Sequence, residues 1–339
     1  MKLRVVPIAL LLALSAGAPG LIAATAAPAS AATTAYTMTD LGNLGGGVSQ
    51  GFGINASGEV VGRSWLNKVF SFKCGRHICH FTQNDPFSWA AGTMSDLGTF
   101  SPTNMSEATA VNTAGDVVGG SNGHAFLVHN GKMTDLGPGQ AAGINDSGEI
   151  VGSSQGAFVI SGGTRTTLPD LSSYGGGGFS SAAGINNTPQ IVGSSDNASG
   201  YSHVVTWSGG TITDLGTLGG TQSAAYAVNN NGQVTGWAQT SSDATDLFLW
   251  SNGTMTDLGT FGQDPVGEAI NDHGVIVGQS DNGAWIWSGG VFQNLNNLIP
   301  PGSGFTLTDA PAINDNGQIV ATGTSNTSGQ THAFLLTPN

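Results

Sequence analysis

Short apolar runs separated by small polar clusters fill the chain from residue 36 to its end, and they recur with a long period. One kind of run ends in Ile-Asn or Val-Asn, as in "AYAVN" (225–229), "GEAIN" (267–271) and "APAIN" (310–314). A polar turn follows, then a run closing on glycine: "EVVG" (59–62), "EIVG" (149–152), "VIVG" (275–278). The third kind is aromatic, as in "HAFLV" (124–128), "LFLW" (247–250) and "AWIW" (284–287). The fourth reads "MTDLG" (133–137, 255–259) or "ITDLG" (212–216). Short runs with a turn signal every 8–12 residues or so predict β-strands, here four to a unit. Runs as apolar as "VIVG" suit strands covered on both faces.

The asparagine that ends the first run stands at Asn55, Asn112, Asn145, Asn186, Asn229, Asn271 and Asn314, mostly 41–43 residues apart. A four-stranded unit of that length is the blade of a β-propeller. The last unit stops after its third strand, at "HAFLLTPN", whereas "YTMTDLG" (36–42) is a fourth strand with no unit before it. The expectation is an all-β, seven-bladed β-propeller of four-stranded blades, its ring closed by residues 36–42 pairing with 331–337. Closure hides two strand edges that would otherwise invite association. An open solenoid would want polar caps instead of this offset.

Asn-x-x-Gly at the first turn fits a type I turn, with Asn at its first position and Gly, free to take positive φ, at its fourth. Asn55/Gly58, Asn145/Gly148, Asn229/Gly232, Asn271/Gly274 and Asn314/Gly317 fill these slots. A calcium loop would need about six oxygens in an Asp-x-Asx-x-Asx-Gly spacing that is absent. The acid is also replaceable: Ala56, Thr113, Asn187 and Asn230 stand where Asp146, Asp272 and Asp315 do. No metal site is expected. Pro189 occupies one Gly slot, and because proline cannot take positive φ a different turn is predicted there. The aspartates of "DLG" (Asp40, Asp96, Asp135, Asp214, Asp257) recur too often to be a catalytic group and read as part of a blade-to-blade connection.

Outside the repeats, residues 1–31 read as a secretory signal peptide: Lys2 and Arg4, the apolar run 5–14, and small residues ending at Ala31. Export is therefore expected, with residues 32–339 forming one domain and no membrane span in the mature chain. The net charge is −13, or −15 without the leader, and no Lys or Arg follows Arg165. Such an acidic surface excludes nucleic acid as a partner. Cys74 and Cys79 in "CGRHIC" predict a local disulfide in an oxidising setting. A zinc set adding His77 and His80 would be too tightly spaced.

The units resemble the HAF-repeat family of bacterial extracellular proteins, on the strength of His124-Ala125-Phe126, His332-Ala333-Phe334, "DLGTLGG" (214–220) and "AVNNNGQVTG" (227–236). The His-Ala-Phe slot departs from the motif at 156–158 (Gly-Ala-Phe) and at 247–249 (Leu-Phe-Leu). The resemblance implies secretion and repetition, and transfers no catalytic residue or cofactor.

Function is then sought where the repeat breaks. The first unit carries an insertion, 63–85, between its second and third strands. It holds Arg63, Trp65, Lys68, Lys73, Arg76, His77 and the cysteines, and reads as a disulfide-braced basic flap over an acidic ring. Trp65 and Trp237 each follow a second-strand glycine and are expected to begin loops. Tyr174 lies in a glycine-rich connecting loop, and Glu268 and His273 have no repeated equivalents. Trp65, Lys68, Lys73, Arg76, His77, Tyr174, Trp237 and Glu268 are the candidate ligand-binding residues. The expected role is a monomeric extracellular binding module for a glycan or protein. The alternative is a polysaccharide hydrolase or lyase, which acids such as Asp243, Asp264 and Glu268 clustering near the axis would favour.

Overall fold

The structure, a computed structural model, describes residues 36–101, 105–172, 178–263 and 265–339. The leader, Tyr174 and Asp264 lie outside them. The described residues form seven antiparallel four-stranded sheets, the blades of a seven-bladed β-propeller. Six blades use four consecutive strands, from blade one (Gly45–Ile54, Val60–Cys74, His77–Ala90, Thr93–Asp96) to blade six (Val266–Ile270, Ile276–Ser280, Gly283–Ser288, Val291–Asn294). Blade seven takes three from the end of the chain and its outer strand from the beginning: Tyr36–Asp40 pairs with Thr331–Pro338, from Tyr36 opposite Pro338 to Asp40 opposite Phe334. The ring closes as the offset predicts.

The core lies between blades. The aromatic of each third strand packs against the second strand of the blade before: Phe126 with Val61, Phe158 with Val118, Trp207 with Val151, Phe248 with Val192. Trp285 meets Leu247 of the preceding blade, Phe334 meets Val277, and Phe87 packs with Val320 across the closure. One blade alone has no partner for these faces, which is why the units cooperate.

The Asn-x-x-Gly turns form as expected. The N–H groups of Gly58, Gly148, Gly232, Gly274 and Gly317 donate to the carbonyls of Asn55, Asn145, Asn229, Asn271 and Asn314 at 3.0–3.1 Å, and Gly115 does the same for Asn112. All six glycines take positive φ, between 73° and 84°. Pro189 avoids positive φ and makes no such bond. What the turn reading missed is the asparagine side chain. Its Oδ1 accepts two backbone N–H groups of its own turn, as in Ser147 and Glu149 for Asn145. Its Nδ2 donates to the carbonyl of the corresponding asparagine in the next blade, in all seven blades, at 2.9–3.3 Å. The last of these, Asn314 to Asn55, closes the circle. Aspartate has no donor and could not replace it.

Within each turn the asparagine and the glycine therefore do different work. The seven asparagines turn inward and line a cavity of about 340 Å³ at this end of the ring. Gly58, Gly148, Gly232, Gly274 and Gly317 line neither this cavity nor the second one on the axis. A glycine has no side chain to send across to the next blade, so these five serve only the backbone of their own turns.

A second partial ring explains the replaceable acid. The N–H groups of Thr113, Asp146, Asn187, Asn230 and Asp272 each donate to the side chain of the next blade's residue at this position. Only an oxygen acceptor is needed, so Asp and Asn interchange. Burial opposes ionisation of Asp146, but the Thr113 N–H and hydroxyl and the Asn187 amide outweigh it and hold its carboxyl below the usual range.

The "DLG" aspartates also act locally. Each accepts from the N–H of the following glycine at 2.7–2.9 Å, turning the chain toward the next blade. In three blades the His of the His-Ala-Phe slot joins it: His124, His203 and His332 reach Asp135, Asp214 and Asp40 at 2.8 Å. Register corrects the slot in blade five to Asp246-Leu247-Phe248, because Phe248, like Phe126, faces its "DLG" aspartate. Blade one likewise places Asp85 in the His slot, with Phe87 opposite Asp96.

Candidate functional site

The inner strands carry the site because each is kinked at one point. In blades one to six the pairing register skips a residue three positions before the conserved asparagine: Phe52, Thr109, Ala142, Ala183, Tyr226 and Glu268. In blade seven the gap widens, between Asp309 and Ala312, and includes Pro311. Such bulges re-aim a side chain, and here all seven turn to the axis, lining one cavity of about 420 Å³. The second-strand glycine faces this kink. A Cβ on Gly62, Gly152 or Gly236 would run into the carbonyl of Gln50, Gln140 or Ala224, so these glycines exist for close approach, with φ in the ordinary region.

Glu268 is the acid of this ring. It accepts from the Gln279 amide at 2.8 Å and shares a hydrogen bond with Asp309 of the next blade. Burial, then the charge of Asp309, pushes its carboxyl up to about 8. Burial also raises Asp309, one of whose oxygens, Oδ1, is buried without a donor. The pair therefore holds a proton between its members at neutral pH. No Lys or Arg follows Arg165, so blades five to seven supply no lysine or arginine to neutralise it.

Beside the acids stands Tyr226, which is hydrogen-bonded to Trp237; burial raises its phenol and the nearby Glu268 adds to this. Both rings are partly exposed. Across the axis the wall is made of small residues, Ala142, Ala183, Ser153 and Ser181. A polar chain borders it: Arg63 bonds Gln50 at 2.9 Å and Glu107 at 2.8 Å, and Gln140 bonds Glu107 at 2.7 Å. The Arg63 guanidinium lies over both Phe52 and Trp65, 5.4 and 5.3 Å from the ring centres.

The sequence-derived candidates divide into two groups. Glu268 lines the cavity, and Trp237 stands just outside it, against Tyr226. Trp65 stands behind Arg63. Neither tryptophan begins a loop: both lie within strands, Val60–Cys74 and Val234–Thr240, and Arg63, not Trp65, is the equivalent of Trp237. Lys68, Lys73, Arg76 and His77 are exposed and lie away from it on the insertion. That insertion is no loop but a continuation of blade one, with Val69–Cys74 paired to His77–Thr82 and the Cys74–Cys79 disulfide at the tip. Polar and apolar residues alternate along both arms, which is why they extend as strands. His273 sits in an Asn-x-x-Gly turn beyond the end of the strand that holds Glu268, and Asp243 in an exposed hairpin turn. Tyr226 and Asp309 were not anticipated. Tyr226 stands in a strand that reads as ordinary repeat, and only the register exposes its bulge.

No protein-family model matches the chain, and no curated protein does. Among solved structures it is similar to a putative TolB from Agrobacterium tumefaciens, at 14% identity over 60% of this chain and 80% of that one, TM-score 0.43. A puromycin-hydrolyzing peptidase from Mycobacterium tuberculosis gives 12% identity over 77% of this chain and 49% of the peptidase, TM-score 0.41. The six-bladed β-propeller lectin of Aleuria aurantia gives 12% identity over 90% and 96%, TM-score 0.32. Among the described residues no helix is long and apolar enough to cross a membrane.

Proposed function

We propose that the chain is an exported, monomeric binding module of HAF-repeat type that takes an uncharged sugar residue in the axial cavity. One observation carries this reading. At seven equivalent axial positions the repeat places six different residue types: Phe52, Thr109, Ala142, Ala183, Tyr226, Glu268 and Pro311. Residues that hold the ring together recur in every blade, and those facing the cavity differ. Tyr226 and Trp237 offer partly exposed rings for stacking. Glu268 with its proton, and Gln279, offer polar contacts on one side. Small residues opposite leave room.

The hydrolase alternative is less well supported by the same acids. A glycosidase pair flanks its bond at about 5–5.5 Å or 6.5–9.5 Å. Glu268 and Asp309 interact directly and share a proton instead of flanking a gap. The test is calorimetric titration against a panel of neutral oligosaccharides. Trp237→Ala should weaken binding at least about tenfold, and Glu268→Gln should weaken it less. Unchanged binding in both variants would remove the site from the cavity. Hydrolysis of any oligosaccharide that Glu268→Gln abolishes would replace binding by catalysis.

A further inference from the structure

The insertion that lies away from the cavity carries its own signal. Residues 32–339 hold 21 acidic and six basic residues. Three of the six, Lys68, Lys73 and Arg76, lie between 66 and 82, where there is no acid, so a +3 hairpin stands on a body of −18. All three are exposed. Among the described residues none of the three is in an ion pair, whereas Arg63 at the base pairs with Glu107. Lys68 lies close enough to Asp85 to ease its ionisation slightly, the least of the influences on that carboxyl.

We propose that this hairpin is a second binding element, independent of the cavity, that holds a linear acidic polysaccharide along its length. Geometry separates this from other polyanions. Lys68 is near the base, Lys73 is next to the last paired residue of its arm and Arg76 is in the terminal turn, so the charges spread over roughly 20 Å at the rise of a strand. That is a line, suited to a chain lying along the hairpin. A membrane would meet only the tip, and its plane would also face the acidic body. The reach spans about two and a half Debye lengths at physiological salt, so a thin polymer escapes the body's repulsion.

Nucleic acid is disfavoured by the exposed face. It presents Val69, Ser71 and Lys73 beside Ile78, His80 and Thr82, with Val69 61% and Ile78 68% exposed, and of these six only His80 carries an aromatic ring. Two bare aliphatic side chains next to lysine suit the mixed apolar and charged surface of a uronate chain. The disulfide braces the far end of the line, where Lys73 pairs with Ile78 and Cys74 with His77 around the turn that carries Arg76.

The experiment uses the mature protein and polygalacturonate oligomers, with dextran as the uncharged control. Binding to polygalacturonate alone is expected. It should weaken roughly 100-fold for a tenfold rise in salt, the slope of about −2 that three contacts give on a single-stranded polyanion. Lys68→Gln/Lys73→Gln/Arg76→Gln should abolish both the binding and its salt dependence, with an unchanged melting temperature. Trp237→Ala and Glu268→Gln should leave it intact, which separates this proposal from the cavity reading. Wild-type affinity in the triple variant would overturn it. So would tighter binding to single-stranded DNA or to phosphatidylglycerol vesicles. A hairpin-dependent dimer in sedimentation would do the same, showing a second copy as the occupant.

Discussion

Two levels of the inner strands differ in kind, although the same seven strands build both. At one level seven asparagines make the same bonds, each buried and each donating to its neighbour around the circle. Three residues back along each strand, seven bulged residues share a position and little else. Repetition at the first level follows from a shared structural task, since every interface must satisfy the same carbonyl. Variety at the second shows that the fold needs the bulge but not any particular side chain on it. A repeat protein thus separates what holds it together from what it presents.

Breaking the constant level should cost the most. Asn229→Ala leaves two backbone N–H groups of the turn and the Asn271 carbonyl without partners. Each unsatisfied buried group costs about 1–3 kcal/mol, and water reaching the cavity at that end recovers part of this. The expected loss is about 3 kcal/mol in a urea melt. Asn229→Asp should lose nearly as much, because it keeps the acceptor and removes the donor. A loss below about 1 kcal/mol in both would reduce the ring to an ornament of the turn.

The variable level should answer to pH instead. Glu268 keeps its proton up to about 8 in the fold, whereas an unfolded glutamate loses it near 4.3 or so. Between these values the folded state binds more protons, so stability should fall as pH rises from about 4.5 to 8 and level off above. Shared protonation with Asp309 and partial exposure reduce the swing to about 2 kcal/mol. Glu268→Gln should flatten most of it and leave the variant more stable than the parent at a pH of about 8.5. An unaltered slope would mean that the pair ionises freely in the cavity.

The contrast also explains which features the sequence displays. Blade number, strand order and ring closure are legible because each interface repeats one requirement, and seven copies outvote local exceptions such as Pro189. The turn glycines are legible for the same reason, since Gly148 and its equivalents answer to backbone geometry alone. The second task of Asn145, reaching the next blade, leaves no separate mark on the sequence. The His–Asp pairs are hidden too, since His124 and Asp135 are eleven residues apart and meet only through strand register. The bulges are visible only as the glycine opposite. Asp309 escapes notice because its slot reads Gln50, Glu107 and Gln140 in blades one to three, and only the closed ring sets it beside Glu268. The hairpin reads as a loop when inserted length is taken for irregularity, although its alternation is that of strands.

The smallest effect is expected at neighbouring alanines, which divide the two tasks within one strand. Ala182 borders the cavity but is only 1% exposed, and it packs between blades three and four against Val151 and Val205. Ala183, the next residue, is the bulged one and lines the cavity. Ala182→Ser buries a hydroxyl in an apolar contact and should cost about 1–2 kcal/mol. Ala183→Ser places the same hydroxyl in an open, polar cavity and should change stability by less than about 0.5 kcal/mol. The same substitution, moved by one residue, asks whether the bulge has released its side chain from the fold. Equal losses at the two sites would mean that the axial positions are packed like the rest, and the freedom to vary them would need another cause.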